Sequence, residues 1–414
     1  MVSFYRNRVV ITNLPLLDPL VTLVVSFIVL AAMLYRRISI GVTLVSCAIV
    51  MSVLTIDLPD VVWVFAETTR DLTTISLVTV TFGIGLLGLL YKETGMLINL
   101  SRSIGELLKN PKLVVSTLPA ILGLLPVPGG ALMSAPLVES AAEKLGLSNA
   151  KKTYVNMWFR HIIFPIYPMG QFIILTAALT NTQISSILIR QIPVVAVMTL
   201  AGYLVVLRKS TVSNSGTRRI KLGENLKKFL LSFSPILAMI LTVALLQVDV
   251  SVAAFIGIFL LILIAKPTKQ MLVKTISNIA IYKVALAAYG AMLLRSVVRA
   301  SGISEALGQT IAATNIGEVV LLSVIPVVLG FLVGLPSGSV AISVPIIAGV
   351  ITFTPKSASL LFISAFLGYL AAPTHLCLVL TTDYFKSSLS KVYKFLVPSV
   401  IVSFGAALLV YSLS

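Results

Sequence analysis

Charge is what this chain has least of. Only 11% of its 414 residues are Asp, Glu, Lys or Arg, and 14 of those are acidic. A soluble domain carries about 25% charged residues, so a water-facing globule is excluded. Cysteine is nearly absent. Cys47 and Cys377 both lie inside apolar segments, and no disulfide framework or metal-type spacing is present. Histidine is limited to His161 and His375. Glu139, Glu318 and Asp383 sit near segment ends rather than at mid-segment, so a relay built on buried carboxylates is unsupported. No phosphate-loop lysine or Gly-x-Gly-x-x-Gly pattern occurs, which leaves ATP-driven pumping without support.

Apolar residues are there instead, at 58%. They recur in long runs, each of the roughly 20 residues that cross a bilayer. The formal charge of +17 invites a nucleic-acid partner, but the basic residues stand between apolar runs, where the positive-inside rule wants them. Arg6 and Arg8 precede a long apolar run with no small-residue cleavage site, so that run reads as a first span, not a cleaved signal.

The expected fold is an all-α membrane protein of about ten spans and two re-entrant hairpins. Its first half, residues 1–207, holds scaffold spans over 17–91, an interfacial helix over 93–110, a hairpin over 113–145, a broken span over 152–180 and a span over 187–207. A basic stretch, 208–228, reads as a cytoplasmic linker. The second half, 229–414, runs in the same order: scaffold spans 229–298, interfacial helix 302–313, hairpin 316–352, broken span 358–383 and span 391–412. In the first interfacial helix Met96, Leu97, Leu100, Ile104, Leu107 and Leu108 share a face opposite Asn99, Arg102, Glu106 and Lys109. In the second, Ile303, Ala306, Leu307 and Ile311 do so. The hairpins break at Pro126-Val127-Pro128-Gly129-Gly130 and at Pro336-Ser337-Gly338-Ser339. Pro165, Pro168 and Pro373 interrupt the broken spans, since proline removes a helix hydrogen bond.

Local residues support an internal repeat. Gly95 and Gly302 are 207 apart, Gly129 and Gly338 209, Pro168 and Pro373 205. A hairpin that returns to its own side adds no crossing, so each half crosses an odd number of times and the second is inverted. With the acidic loop near Asp57 outside, Arg36, Arg37, Lys92, Arg102, Lys109, Lys112, Lys151, Lys152 and the linker basics fall inside. Arg6, Arg8, Arg70, Arg190, Arg299 and Lys356 are exceptions. Both termini are expected outside an inner cell membrane, the first hairpin entering from the cytoplasm and the second from outside.

Discontinuous helices at the bilayer midplane are the usual substrate site of inverted-repeat transporters. Half-helix N-termini there present free N–H groups and partial positive charge to an anion. The expected substrate contacts are Gly129, Gly130, Ser134, Ser337, Gly338, Ser339, Ser343, Thr374 and His375; Pro128, Pro168, Thr176, Pro373 and Thr381 form the helix breaks or a coupling-ion site. Plainer readings stand beside these. Pro and Gly also make simple kinks and close packing, Ser134 and Ser343 can bond back to a helix carbonyl, and Thr176 and Thr381 can be packing residues. His375 is a candidate for substrate or proton coupling. His161 reads as an interface residue nearer the cytoplasmic end, and Arg160, Lys283 and Arg295 as side chains that snorkel to the surface.

The layout resembles the ion transporter superfamily, which includes gluconate permeases and dicarboxylate/sodium symporters. The residues that carry the resemblance are Pro126-Val127-Pro128-Gly129-Gly130-Ala131, Leu335-Pro336-Ser337-Gly338-Ser339 and Ala372-Pro373-Thr374-His375. Within that group the chain is most similar to an uncharacterised family of integral membrane proteins known as a domain of unknown function. The resemblance implies an elevator: a scaffold, often dimeric, and a moving transport domain joined by interfacial arms. It implies small organic anions carried with protons or sodium. The Ser-Asn-Thr hairpin signature of the sodium/dicarboxylate branch is missing, which puts sodium and dicarboxylates in doubt. The expected function is cation-coupled symport of a gluconate-like or other carboxylate, with no cofactor and no catalysis. An exporter or facilitator is the alternative. An intramembrane enzyme would require His161 and His375 to converge.

Overall fold

Apolar runs opened by a proline or an Asx cap set the helix boundaries. Helix α1, Pro19–Tyr35, starts where the Asp18 carboxylate accepts the Leu20 and Val21 amides, with proline in the first turn. A computed structural model describes residues 17–108, 110–125, 131–208, 222–246, 248–314 and 316–414. Among these residues there are helices and no strands. After α1 come α2 Ile40–Thr55, α3 Leu58–Arg70, α4 Leu72–Glu93, α5 Met96–Leu107, α6 Pro111–Gly123 and α7 Ala131–Lys144. Then follow α8 Asn149–His161, a 3₁₀ turn at Phe164–Ile166, α9 Gln171–Thr180, and α10 Ile184–Gly202, which ends in a π-helical turn, Tyr203–Leu207. The second set is α11 Leu222–Leu246, α12 Val250–Ala265, α13 Lys269–Ile276, α14 Ile279–Ala300 and α15 Ile303–Thr314. It closes with α16 Glu318–Val333, α17 Pro336–Ile347, α18 Pro355–Ala371, α19 Leu376–Tyr384 and α20 Leu389–Leu413.

Among the described residues 7 helices or helix pairs are long and apolar enough to cross a membrane. Helices α1, α2 and α12 are equally apolar but have 17, 16 and 16 residues. The many outward-facing apolar side chains, such as Val24, Ile28, Phe259 and Ile401, make this a membrane protein, because water would not tolerate such a surface. Helices α6, of 13 residues, and α7, of 14, are each too short to cross. At about 1.5 Å per residue they reach only some two thirds of a bilayer core.

Packing separates two bundles. Helices α2, α4, α12 and α14 pack together, with α1 against α2 and α11 against α12. The other bundle sets α6 and α7 on α8, α16 and α17 on α18, and joins α10 to α20. Helix α7 packs on α19 and α17 on α9. Helix α5 lies on α11 and α15 on α1, between the bundles. Helix α5 buries Met96, Leu97, Leu100 and Ile104 and exposes Asn99, Arg102 and Glu106.

Several expectations need correction. The acidic loop near Asp57 is the helix α3, amphipathic and packed on α14 and α4. A second amphipathic helix, α13, packs on α4, held by a Lys274–Glu93 ion pair at 2.6 Å. Both were hidden by charge, which their exposed faces explain. Lys227 and Lys228 belong to α11, not to the basic linker. The first hairpin tip, with Pro128, Gly129 and Gly130, and the apolar face at Leu307 and Ile311, lie outside the described residues and side chains.

Candidate functional site

Two helix interruptions bring the chemistry together. The chain leaves α8 at His161, makes the 3₁₀ turn around Pro165 and resumes helix at Gln171. It leaves α18 at Ala371 and resumes at Leu376, with His375 as the residue before the helix. Helices α8 and α18 are buried on almost every side, so groups at these breaks lie inside protein.

His161 and His375 meet there. Both are fully buried, and their ring centroids are 4.7 Å apart at 86°. The Nδ1 of His161 is 2.6 Å from the Met157 carbonyl. A carbonyl can only accept, so Nδ1 carries the proton, and Nε2 of the neutral ring is left to accept from the Tyr369 hydroxyl at 3.2 Å. The Tyr369 ring covers His375, with centroids 4.1 Å apart. Neither nitrogen of His375 has a hydrogen-bond partner among the described residues, and the Leu370 carbonyl lies beside the ring. Arg160 is 3% exposed and its Nη2 donates to the Leu125 carbonyl at 3.3 Å, next to the first hairpin tip. Its Nε and Nη1 have no partner among the described residues. Cys377 and Tyr369 are its polar neighbours. The ligand atoms of His161, His375 and Cys377 fall within 4.8 Å of one another.

This corrects two readings. Arg160 does not snorkel to the surface, and His161 is not an interface residue. Arg295 does not snorkel either: it donates to the Ala178 carbonyl at 3.1 Å, from α14 to the end of α9. Lys283 is exposed.

A second polar group links the first hairpin to both broken spans. The Ser134 hydroxyl donates to Asn156 Oδ1 at 2.6 Å, and Asn156 Nδ2 donates to the Ala131 carbonyl at 2.9 Å. The same Nδ2 reaches Thr381 Oγ1 at 3.5 Å. Asn156, Ser134 and Thr381 are fully buried. Asn156 is not among the residues expected from the sequence; its helix also carries Lys151, Lys152, Arg160 and His161, so one more polar side chain there gives no signal.

The other expected residues are distributed unevenly. Ser339 donates to the Pro326 carbonyl at 2.8 Å and Ser343 to the Ser339 carbonyl at 2.7 Å. Thr176 bonds back to Phe172 at 2.7 Å. These three hydroxyls serve the backbone. Gly338 is buried against Val333 and against Ile40 of α2, with no room for a Cβ. Ser337 and Pro168 are half-buried, and Pro373 and Thr374 are exposed. Thr374 lies over Gly334, which ends α16 at φ +67°. A side chain there would meet Thr374 as well as adopt a backbone that favours glycine. The second hairpin tip thus abuts the second break, while Leu125 brings the first hairpin to the first.

Taken together the centre is rich in donors and carries one fixed positive charge. Such a site suits an anion.

The family described as "Protein of unknown function (DUF401)" matches residues 18–413. No curated protein matches the chain. Among solved structures, the YdaH transporter of Alcanivorax borkumensis, whose crystal structure has an unusual topology, is similar in fold with a TM-score of 0.62. The match covers 93% of this chain and 98% of that one, at 12% identity. So distant a likeness speaks to the fold alone.

Proposed function

The chain belongs to the DUF401 family, and from that premise we propose that it is a secondary transporter for a small organic anion, coupled to protons or sodium. The observation that carries the reading is the meeting of two helix breaks at a buried, positively charged centre beside both hairpins. The similarity in fold to a transporter supports it.

In this reading α1–α10 and α11–α20 are inverted repeats, and the superfamily is that of the gluconate permeases. Matched contacts support the repeat: α6 on α8 as α16 on α18, and α7 on α19 as α17 on α9. So does one close crossing. A Cβ on Gly123 would strike the Arg160 carbonyl, and one on Gly330 would strike the Ala365 carbonyl, at offsets of 207 and 205. The bundle of α1–α4 with α11–α14 is the scaffold and homodimer interface, α6–α10 with α16–α20 the moving domain, and α5 and α15 the arms. The protein sits in the inner membrane with both termini outside.

Counterflow in proteoliposomes tests the reading. Labelled gluconate and a panel of labelled carboxylates should exchange across the bilayer, and an imposed proton or sodium gradient should drive accumulation that ionophore abolishes. Exchange without gradient-driven uptake would make the protein a facilitator. No carboxylate movement at all would remove the proposal.

The convergence of His161 and His375 favours a second reading, an intramembrane enzyme with Cys377 as nucleophile. Both nitrogens of His161 are already engaged, by Met157 and Tyr369, which leaves His375 as its base. Covalent labelling of Cys377 by a substrate-like electrophile, blocked in His375→Gln, would support that reading over transport.

A further inference from the structure

We propose that Arg160 is the direct anchor of a single substrate carboxylate, with His375 as a second donor, so that the carried anion is a monocarboxylate; this rests on the transporter reading above. A guanidinium has five N–H donors in a planar fork and stays charged. In Arg160 Nη2 donates to the Leu125 carbonyl and the guanidinium lies against the Cys377 thiol, while Nε and Nη1 are buried with no hydrogen-bond partner among the described residues. The ion pairs found among those residues join Lys152 to Glu139 and Glu143, Lys228 to Glu224 and Lys274 to Glu93; none reaches Arg160. An intramembrane cation that is neither paired nor at the surface is a poor structural element and a good ligand. A carboxylate supplies what the centre lacks, one negative charge and lone pairs in the geometry of the fork. His375, whose two ring nitrogens have no hydrogen-bond partner among the described residues of the same cluster, gives the second contact.

A metal ion fits less well. His161, His375 and Cys377 are close enough to ligate one, but the Nε2 of His161 is already bonded to Tyr369. Arg160 would repel a cation, and among the described residues no carboxylate joins the set.

The restriction to one carboxylate comes from the asymmetry of the two halves. At the offset of 205, Arg160 corresponds to Ala365, His161 to Phe366, and His375 to Gly170. Where the second half would supply the matching cation it supplies rings instead: Phe172 stacks on Phe362 at 4.4 Å and on Phe366 at 5.6 Å. A second carboxylate would face these rings.

Binding to the purified full chain tests the assignment, read by calorimetry and by melting temperature at one pH, with gluconate, lactate and benzoate against succinate and malate, and with Zn2+ alone. At least one monocarboxylate should bind, ten-fold or more tighter than either dicarboxylate. Arg160→Lys should weaken it at least ten-fold, and Arg160→Gln should abolish it while the unliganded protein melts at the same or a higher temperature. A merely structural Arg160 would lower the melting temperature in Arg160→Gln. Unchanged affinity in Arg160→Gln, tighter dicarboxylate binding, no binding by any monocarboxylate, or saturable Zn2+ binding lost in Cys377→Ser would each overturn the anchor. If carboxylates still show counterflow in those cases, the transporter reading survives without it.

Discussion

Asn156 holds three elements with one amide. Its oxygen takes the Ser134 hydroxyl, and its nitrogen serves the Ala131 carbonyl and faces Thr381. Leucine has the same branched skeleton of four side-chain heavy atoms and none of these bonds, so Asn156→Leu removes the polar contacts without opening a cavity. Two buried hydrogen bonds are lost, each worth about 0.5–1.5 kcal/mol, while the Ala131 carbonyl keeps the Ser134 hydroxyl at 3.1 Å. The detergent-solubilised variant should melt several degrees lower, whereas an unchanged melting curve would mean that the amide is idle. The sequence pointed to the titratable residues and to the breaks, and His375 stands at one of those breaks. It misplaced Arg160 because a cation near the end of an apolar segment ordinarily reaches for water. What prevents this is the ring of neighbours around α8, namely α6, α7, α19 and α20. That is a property of the packing and not of the segment.

Helix crossings carry the next scale. Gly330 lets α16 approach the backbone of α18, and Gly368 lets α18 approach α16 at Val327 in turn. A methyl at Gly330 has no space, so the two helices must part along their length. Overpacking of this kind costs about 1–3 kcal/mol, and Gly330→Ala should lower the melting temperature. Gly223→Ala on α11 is the matched control, since nothing lies within 4 Å of its added carbon; there the better helix propensity of alanine should hold or raise the temperature. Equal effects at both sites would show that the crossing is not tight. Elements of this kind were largely legible. Pro111, Pro336 and Pro355 open helices, and Pro165 and Pro373 lie at the breaks, because proline acts through local geometry. Helices α3 and α13 were not legible, because their half-exposed charged faces look like loop sequence to any test of apolarity.

The molecule as a whole divides between the two bundles, where α17 packs on α14, and α9 on α4 and α14. Between the bundles the described polar links are Arg295 to the Ala178 carbonyl and Gln171 to the Thr81 carbonyl at 3.5 Å, with Gly338 packed on Ile40. An elevator needs these to slide as one body moves past the other, whereas a rocking or enzymatic mechanism can keep them fixed. A cysteine pair at Thr81 and Gln171, in a background with Cys47→Ala and Cys377→Ser, puts one thiol on α4 and one on α9. Bridging the pair with Hg2+ should stop counterflow while carboxylate binding persists on the face left open, and reduction should restore exchange. The single-cysteine proteins should not respond. Undiminished counterflow in the bridged protein would mean that the two bundles need not move apart, and the elevator would have to be given up even if the anion site stands.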